Sequence, residues 1–449
     1  MPNLLKVAKF GGTSMADATA MRRCAKIVQI DPDKKLIVVS ATSGTTNLLT
    51  DLFFTLSKDE KQRIIDQIKD KHLRICNDLQ ESQNVKKELE AILDELEEVA
   101  IQKQVRTPKR KDIILSFGER LSSILFAQVL REVTGDDVSL LDAREIIITD
   151  NTHGNATPRV DNIEAKAKEK IIQKLHGQRM VTQGFIARSD TGESTTLGRG
   201  GSDYSAALFA EAVNADVLEI WTDVTAVYTT DPRITADAKP ITEISFDEAA
   251  ELSVFGAKVL HPATMVPAIR KRIKVYVGSS IEPEKPGTWI VRDTKEKPPI
   301  RAISLRPNQT LLTVHSLDML HRHGFLQKLF GVLAKYKISV DLVTTSEVSV
   351  SLTLDTNVNS PVHEMLTDEV LEELRSFCQV EIESGLSLIA LVGNDLHATA
   401  GLSGPVFGSL KDINVRLICH GASSHNLCFL VKEDSAKDVV RVLHKKFIN

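Results

Sequence analysis

The sequence lacks the features that mark disulfide-rich, nucleic-acid-binding and membrane-spanning proteins. Its five cysteines form no C-x-x-C pair, and their odd number leaves one unpaired, which favours a reducing compartment over a disulfide framework. Its 56 basic and 60 acidic residues nearly cancel, so composition indicates neither a nucleic-acid nor a membrane-surface partner. No apolar run approaches the length of a membrane span, and the N-terminus leads directly into a strand pattern. We therefore expect a cytoplasmic protein whose partners are small molecules.

The glycine-rich stretch Thr196–Tyr204 (TLGRGGSDY) has the spacing of neither G-x-x-x-x-G-K-[ST] nor G-x-G-x-x-G. Its glycines nevertheless let the backbone approach a ligand closely, and Arg199 and Asp203 supply opposite charges. The helical run from Ser205 would place a helix N-terminus against the same ligand. The stretch is either an anion-binding loop or a structural turn. A second phosphate-directed element elsewhere in the chain favours the anion-binding loop.

The N-terminal strand pattern, Leu4 to Phe10, provides that second element. It ends in Lys9-Phe-Gly-Gly-Thr-Ser14, where a lysine stands beside two glycines and a Thr/Ser helix cap, a combination suited to a charge directed at phosphate. The next strand, Lys35 to Thr42, is nearly all apolar, as in a parallel sheet covered on both faces. It opens into Ser43–Asn47, at the carboxyl end of a strand, where open α/β sheets bind ligands.

Strand and helix patterns then alternate, which predicts an α/β fold with a parallel sheet. Helical spacing runs from Leu56 to about Gln104, and strands are expected near 138–141, 180–186, 217–221 and 274–278. Glu119 follows a glycine near a predicted helix start, so it either holds an ammonium group or stabilises the helix dipole.

A polar tract follows the strand that ends at Thr222-Asp223. Tyr228 and Arg233 lie on either side of a proline-fixed turn and suit the base, ribose and outer phosphates of a nucleotide. A polar surface loop that binds no ligand has the same composition. Lys258 lies near the start of a later predicted helix and is a candidate for the same phosphates.

The last third of the sequence contains an internal repeat. Residues 295–309 have the composition of a domain junction, and beyond them the order βαββαβ occurs once in full and once without its last strand. We expect a domain at 1–294 and two ferredoxin-like domains at 300–384 and 385–449, with strand exchange between the two or with residues 300–305. Open sheet edges of this kind favour pairing between copies, so a homodimer is expected.

With Lys9–Ser14, Gly198–Asp203, Thr222-Asp223 and Tyr228–Arg233 (YTTDPR) in place, the chain resembles the aspartate kinases of the amino-acid kinase superfamily. The repeat resembles a tandem pair of ACT domains, which are regulatory modules that bind amino acids. The resemblance implies a carbamate-kinase-like three-layer α/β sandwich followed by the ACT pair. It also implies transfer of the γ-phosphoryl group of MgATP to the β-carboxylate of L-aspartate, giving 4-phospho-L-aspartate for lysine, threonine and methionine biosynthesis.

The same resemblance implies the site residues of the kinase part. Lys9 would stabilise charge on the transferring phosphoryl group, and Asp203 would orient Lys9. Aspartate would be bound by Thr46, Glu119, Arg199, Gly200, Gly201 and Ser202. ATP would be bound by Lys9, Phe10, Gly11, Gly12, Thr222, Asp223, Tyr228, Arg233, Lys258 and Val259. Mg²⁺ would be held largely by the ATP phosphates, so no metal-ligand cluster is expected in the chain.

The regulatory part resembles that of lysine-inhibited single-function aspartate kinases. The residues that carry this likeness are Met319, Gly324, Phe325, Leu326, Ser339, Val340, Asp341, Thr345, Ser346 and Glu347. Asp341 is a suitable partner for a lysine ammonium group, with a solvated loop aspartate as the alternative, and the helix start at Gly324 suits a carboxylate. The basic tract His321–His323 departs from the expected pattern.

Several other functions remain open at this stage. A fusion to homoserine dehydrogenase is disfavoured because no dinucleotide-binding unit follows before Asn449, and kinases of glutamate or acetylglutamate lack the tandem repeat. The kinase would be inhibited by threonine, or by nothing, if the lysine pocket is misassigned. A catalytically inactive amino-acid sensor is the alternative from another class. The expected homodimer could also form higher oligomers through its ACT domains.

Overall fold

The computed structural model describes residues 4–80, 82–102, 105–175, 177–256, 260, 262–320, 323–354 and 365–448. Contacts divide the chain into two units. The first consists of Met1–Val227, Pro240–Ala250 and Val259–Thr294, and the second of Tyr228–Lys239, Glu251–Lys258 and Lys295–Asn449. Two short segments that precede the predicted domain junction therefore group with the C-terminal part of the chain.

An eight-stranded sheet forms the centre of the first unit. Its strands are β1 (Lys6–Phe10), β2 (Lys34–Val39), β3 (Val138–Leu141), β5 (Arg179–Gln183), β8 (Val217–Thr222), β9 (Glu243–Ser245), β10 (Lys274–Ser279) and β11 (Thr288–Val291). Their spatial order is β3-β5-β2-β1-β8-β10-β11-β9. The pairs are parallel, apart from β10 with β11. Strands β4 (Ile148–Thr149), β6 (Ile186–Ser189) and β7 (Ser194–Thr196) form a separate small sheet.

Helices cover both faces of the large sheet. They are α1 (Ala18–Gln29), α2 (Thr45–Phe54), α3 (Lys58–Asn77), α4 (Gln83–Ile101), α5 (Pro108–Thr134), α6 (Val160–Lys170), α7 (Ile172–Leu175), α8 (Gly201–Ala212) and α10 (Pro262–Lys271). Helix α9 (Phe246–Val254) is divided between the two units after Ala250. Alternate strand residues such as Phe10 and Val39 share a core with α1 to α5. Helix α8 packs on β1 and β2 and against α6 and α10. Because side chains alternate between the faces of a strand, this arrangement is the predicted three-layer sandwich.

Helix α5 is the longest helix of the first unit and lies in its core. Thr107 accepts a hydrogen bond from the Arg110 N–H at its start, Pro108 occupies its first turn, and Gly135 follows its end with φ +71°. The helix is long and apolar enough to cross a membrane, but 89% of its most apolar window is buried inside the protein. That burial is typical of the core helix of a globular domain.

The second unit contains a six-stranded antiparallel sheet. Its strands are β12 (Ala302–His315), β13 (Val340–Thr345), β14 (Ser349–Leu354), β15 (Gln379–Val392), β16 (Leu417–His420) and β17 (Asn426–Lys432). Their order is β13-β14-β12-β15-β17-β16. The helices are α11 (Phe325–Lys335), α12 (Asp368–Arg375), α13 (Ser403–Gly408) and α14 (Glu433–Phe447).

Strands β12 and β15 each run through both halves of this sheet. Residues 302–306 pair with 388–392 beside β17, whereas residues 311–315 pair with 379–383 beside β14. We predicted separate strands here, but the chain continues through irregular register near Gln309 and through left-handed residues at Asn308 and Gly385. Such bulges bend a strand without ending it. Two hydrophobic cores lie against the two halves.

Candidate active site

The carboxyl ends of β1, β2 and β8 meet at one edge of the large sheet. Lys9 is level with Val38 of β2 and Ile220 of β8. The Gly11 N–H donates to the Trp221 carbonyl oxygen at 3.2 Å, and the Ser40 N–H donates to the Phe10 carbonyl oxygen at 3.1 Å. Three of the polar loops that we singled out in the sequence therefore begin side by side, as expected for an open α/β sheet.

Lys9 and Asp203 form an ion pair at this edge. Their Nζ and Oδ1 atoms are 2.6 Å apart, and the side chains are 10% and 19% exposed. Two glycines adjoin this pair: a methyl group on Gly12 would come within 3.3 Å of the Ala41 carbonyl oxygen, a tight contact, and one on Gly11 would lie at an ordinary contact distance of 3.5 Å from Lys9 Nζ. Lys9 and the two glycines form a cradle with little side-chain bulk beside the ammonium group, an arrangement suited to phosphate.

The glycine-rich loop leads into the first turn of α8. Gly198 and Gly200 have φ of +73° and +70°, a conformation that other residues rarely adopt. Gly201 begins the helix so close to Phe185 that an added methyl group would lie 2.7 Å from its ring. Asp203 lies in this first turn, and Arg199 is an exposed residue between the two left-handed glycines. The glycines thus position the helix N-terminus, whose partial positive charge favours an anion.

Glu119 is a buried carboxylate in the middle of α5. Its Oε1 accepts a hydrogen bond from the Ala41 N–H at 3.2 Å, while its Oε2 has no hydrogen-bond partner among the described residues. Burial raises the pKa of Glu119 to about 8, although the Ala41 N–H and Lys9 act in the opposite direction. An unpartnered buried carboxylate oxygen is costly and suits a cationic ligand. The alternative in which Glu119 stabilises a helix dipole from the first turn is wrong, because α5 begins at Pro108.

Asp112 is a structural element of the site that our sequence analysis missed. It is fully buried on α5, seven positions before Glu119 and therefore on the same side of the helix. Its carboxylate accepts hydrogen bonds from the Thr196 hydroxyl at 2.6 Å, the Gly154 N–H at 2.9 Å and the His153 ring at 2.9 Å. Asp112 thereby anchors the start of the glycine-rich loop. The signal available in the sequence was a carboxylate seven positions before Glu119, a spacing of two helical turns.

The remaining predicted aspartate-site residues lie on the loops around this edge. Thr46 is exposed in the first turn of α2, and Ser202 is half-buried in the first turn of α8. Gly184 lies so close to Ser202 that a methyl group added at Gly184 would be 2.7 Å from the Cβ atom of Ser202. The small residues therefore serve close packing around the helix start.

The predicted nucleotide residues divide between the two units. At the end of β8, Thr222 donates from its hydroxyl to Asp223 at 3.1 Å, and its carbonyl oxygen accepts from the Ser280 N–H at 2.8 Å. Tyr228 and Arg233 belong to the second unit. The Arg233 guanidinium is 85% exposed and pairs with Asp231 at 2.6 Å. The predicted residues Lys258 and Val259 lie outside the described residues.

The segment that carries Tyr228 and Arg233 is attached to the core of the second unit. Its Ile234 packs among residues of β12, β15 and α14. The Thr229 hydroxyl lies 2.9 Å from His444 Nε2, and the Arg441 side chain donates to the Ile234 carbonyl oxygen at 2.9 Å. Local sequence carries no sign of these long-range contacts.

The predicted effector residues lie around one hydrophobic core of the second unit. Met319, Phe325 and Val340 pack against that core. Gly324 precedes α11 with φ +87°, whereas Val340, Asp341 and Thr345 lie on the edge strand β13. The Asp341 carboxylate is 2.7 Å from the Arg306 guanidinium, and both side chains are less than one-fifth exposed. Leu326, Ser339, Ser346 and Glu347 are exposed. His321 and Arg322 of the basic tract lie outside the described residues.

A groove of about 540 Å³ elsewhere in the first unit is lined by residues of α6 and the small sheet, including Ile148, Asn162 and Arg188. None of the predicted site residues lines it. Within the described parts of the chain, no group of three His, Cys, Asp or Glu side chains is arranged to hold a metal ion.

Comparisons with known proteins identify the family of this chain. The sequence profile of the amino acid kinase family matches residues 5–279, and that of an ACT domain matches residues 389–447. The chain is 47% identical over 440 residues to lysine-sensitive aspartokinase 3 of Escherichia coli K12, covering 98% of each protein. It is also similar to crystal structures of E. coli aspartokinase III.

The complex of that enzyme with aspartate and ADP, described as the R-state, has a TM-score of 0.89 and 46% identity. The complex with lysine and aspartate, described as the T-state, has a TM-score of 0.87 and 46% identity. Each comparison covers 99% of this chain and 100% of the other. The chain belongs to the aspartokinases of the amino acid kinase family.

Proposed function

We propose that this chain transfers the γ-phosphoryl group of ATP to the β-carboxylate of L-aspartate, forming 4-phospho-L-aspartate and ADP. In this step a carboxylate oxygen of aspartate forms a bond to the γ-phosphorus, and the bond from that phosphorus to the β–γ bridging oxygen breaks. The observation that carries the proposal is the Lys9–Asp203 ion pair at 2.6 Å beside the glycine cradle. The E. coli relative crystallised with aspartate and ADP supports the identity of the substrates.

The chemistry requires charge stabilisation and positioning more than a base. The β-carboxylate is already ionised at neutral pH and needs no deprotonation before it attacks. Lys9 would neutralise negative charge that develops on the transferred group, and Asp203 would hold the ammonium group at the carboxyl end of β1. The N-terminus of α8 adds its partial positive charge.

Aspartate would be held by groups of opposite charge at its two ends. Arg199 suits the α-carboxylate because its planar guanidinium forms paired hydrogen bonds. Glu119, whose Oε2 has no hydrogen-bond partner among the described residues, suits the α-ammonium group. Thr46, Gly200, Gly201 and Ser202 would complete the pocket from the first turns of α2 and α8.

The glycine cradle suits the phosphates of ATP, because residues without side chains beside the Lys9 ammonium group let a ligand approach the backbone closely. We propose that Lys9, Phe10, Gly11, Gly12, Thr222 and Asp223 bind ATP together with Tyr228, Arg233, Lys258 and Val259. When bound with ATP, Mg²⁺ would neutralise phosphate charge and be held largely by phosphate oxygens.

Feedback inhibition by L-lysine is proposed for the second unit. Its support is the similarity to a lysine-sensitive relative and the grouping of Met319, Phe325 and Val340 on one core. Asp341 would receive the lysine side-chain ammonium while it remains near Arg306, because one carboxylate accepts several hydrogen bonds. We further propose a cytoplasmic homodimer, because symmetric dimers are the commonest soluble oligomers and β13 and β16 are the terminal strands of the six-stranded sheet.

A coupled assay of ATP consumption tests the proposal directly. L-Aspartate should support turnover by the purified full-length chain, and L-lysine should suppress it, whereas L-threonine and L-methionine should not. Suppression by threonine, or by none of the three, would retain the kinase and reject the lysine site. Absence of aspartate-dependent turnover in folded protein would reject the kinase and favour an amino-acid sensor.

The first substitution tests the aspartate pocket. Arg199→Ala should raise the KM for aspartate by about a hundredfold, because the α-carboxylate loses a charge-assisted, two-pronged partner. The KM for ATP should change little. Steady-state kinetics with each substrate varied in turn provides the measurement. Arg188→Ala, on β6 beside the separate groove, is the matched control. An unaltered aspartate dependence in Arg199→Ala would remove Arg199 from the pocket.

A second substitution tests the effector site. Asp341→Ala should raise the lysine concentration for half-inhibition by at least about tenfold, since the lysine ammonium loses its carboxylate partner. Turnover without lysine should stay near that of the unsubstituted protein. Asp434→Ala, which removes an exposed carboxylate from the start of α14, should leave inhibition unchanged. Undiminished inhibition in Asp341→Ala would place the effector elsewhere.

A further inference from the structure

A buried histidine on α3 is connected by hydrogen bonds to the turn that precedes Thr46. His72 is fully buried. Its Nδ1 lies 2.7 Å from the Ile68 carbonyl oxygen, and its Nε2 lies 3.1 Å from the Thr42 hydroxyl oxygen. The Thr42 hydroxyl oxygen lies 2.5 Å from the Thr45 hydroxyl oxygen. Three side chains thus form a continuous chain of hydrogen bonds from the body of α3 to the start of α2.

The chemistry of these groups sets the direction of each hydrogen bond. A carbonyl oxygen only accepts, so the proton of His72 is on Nδ1, which donates to Ile68. Burial lowers the pKa of His72 to about 4, so the ring is neutral near pH 7 and its Nε2 is an acceptor. The Thr42 hydroxyl therefore donates to His72 and accepts from Thr45. Each hydroxyl has one orientation.

The turn that receives these bonds has a defined shape. The Thr45 N–H donates to the Thr42 carbonyl oxygen at 3.0 Å, and Gly44 has φ +79° and ψ −12°. These values are those of a type II turn, whose third residue requires positive φ. Lys71, next to His72 on α3, donates from its ammonium group to the Ser43 carbonyl oxygen. Two consecutive residues of α3 therefore hold two consecutive residues of the turn.

The other side of the same loop contacts Glu119. The Ala41 N–H donates to Glu119 Oε1. The Ala41 side chain also packs against α5, because a methyl group added at Gly118 would lie 2.9 Å from Ala41 Cβ. The loop is thus held between α3 and α5, with Thr46 immediately after the turn. We propose that His72, acting through Thr42, and Lys71, acting on Ser43, are positioning residues that set the affinity of the pocket for aspartate. This inference rests on the proposed function.

Kinetics of a shape-conserving variant tests the role of His72. In full-length protein, His72→Phe should raise the KM for aspartate by about tenfold, because a small displacement of a substrate-binding loop is costly. The kcat and the KM for ATP should stay within about twofold of the unsubstituted values. His72→Gln, whose side-chain oxygen can accept from Thr42, should recover part of the aspartate affinity. If His72 serves stability alone, its replacement should lower the Tm and leave both KM values unchanged.

The second arm uses Lys71 and two controls on the same helix. Lys71→Met should also raise the KM for aspartate, whereas Lys69→Met, which loses ion pairs with Asp94 and Glu97, should not. Ile75→Val trims the buried face of α3 without touching the hydrogen bonds and should leave both KM values unaltered. If His72→Phe does not fold, Thr42→Val breaks the same connection.

Two results would overturn the inference. One is an unchanged KM for aspartate in Lys71→Met and in whichever of His72→Phe or Thr42→Val folds. The other is an equal rise in the KM values for both substrates. A lack of aspartate-dependent turnover in the unsubstituted protein would instead refute the proposed function.

Discussion

Replacing Lys9 with methionine should lower kcat by about a thousandfold, the loss expected when a charged group that stabilises the transition state is removed. The ammonium group is largely buried, 2.6 Å from Asp203 and beside the glycine cradle. In such a site it is little screened by water, and its interaction grows as charge moves onto the transferred phosphoryl group. Methionine has a similar length and no charge, so it tests charge and not bulk. The measurement is kcat at saturating aspartate and ATP.

Lys6 provides a matched control for this substitution. It lies on the same strand, and its ammonium group pairs with Asp31 at 2.7 Å. Lys6→Met therefore also removes an ion pair from β1, but it should keep kcat near the unsubstituted value. Thermal unfolding of both variants checks that the fold persists. If Lys9→Met turns over as fast as Lys6→Met, Lys9 does not stabilise the transition state.

Replacing Glu119 with glutamine should raise the KM for aspartate by about a hundredfold, because the substrate ammonium loses its one buried carboxylate partner in the proposed pocket. Glutamine keeps the shape of the side chain and an oxygen for the Ala41 N–H. The kcat at saturating aspartate should fall less than kcat/KM, since the substituted group binds substrate in the ground state as well. Glu132→Gln, near the other end of α5, controls for the loss of a carboxylate from this helix.

The same variant should be more stable than the unsubstituted protein near pH 8. Burial raises the pKa of Glu119 from 4.5 to about 8, so the folded protein holds a proton that the unfolded chain releases. Its contribution to the free energy of unfolding is therefore complete below about pH 4.5 and is lost as the pH rises to about 8. Glutamine does not titrate. The Tm difference, variant minus unsubstituted protein, should grow over this range in ligand-free protein.

A constant Tm difference across the same pH range would show that the pKa of Glu119 is not raised in the folded protein. Aspartate should narrow the difference, because its ammonium group stabilises the ionised carboxylate. Weak substrate binding combined with higher stability is the trade-off expected of a binding residue that is costly to bury. A residue retained only for packing would show neither effect.

Much of the fold was predictable from local patterns. The apolar strands β1, β2, β8 and β10 and the amphipathic helices α3 and α4 carry enough residues for their periodicity to be read. The strands that we missed, β4, β6, β7, β9 and β11, have two to four residues each, which is too short for a pattern. The strand that we predicted over 180–186 ends at Gln183, before Phe185 with φ +64°. The helix that we predicted near Lys258 is α10, which begins at Pro262, and the preceding helix α9 ends at Val254, two residues before Gly256 with φ +107°. A left-handed glycine ends a helix, and a proline suits a first turn.

The candidate site was predictable where the family resemblance supplied the roles of its residues. The resemblance assigned Lys9 and Asp203 together from motifs far apart in the chain, and the fold brings them into contact. Glu119 was ambiguous because we placed the helix start near Gly118, whereas the start signal is Thr107 followed by Pro108 in the first turn. Asp112 was missed, since its partners His153, Gly154 and Thr196 come from other parts of the chain.

The sequence by itself determined the order of strands and helices, the glycines that permit tight turns, and the charged residues at the strand ends. These properties depend on neighbours within one element, where side-chain period and backbone preference act locally. Only the tertiary structure decided three features: Glu119 Oε2 lacks a hydrogen-bond partner among the described residues, Ile234 packs in a core of the second unit, and His72 holds the Thr42 hydroxyl. Each of these depends on residues that are distant in the chain and meet only when apolar surfaces are buried together.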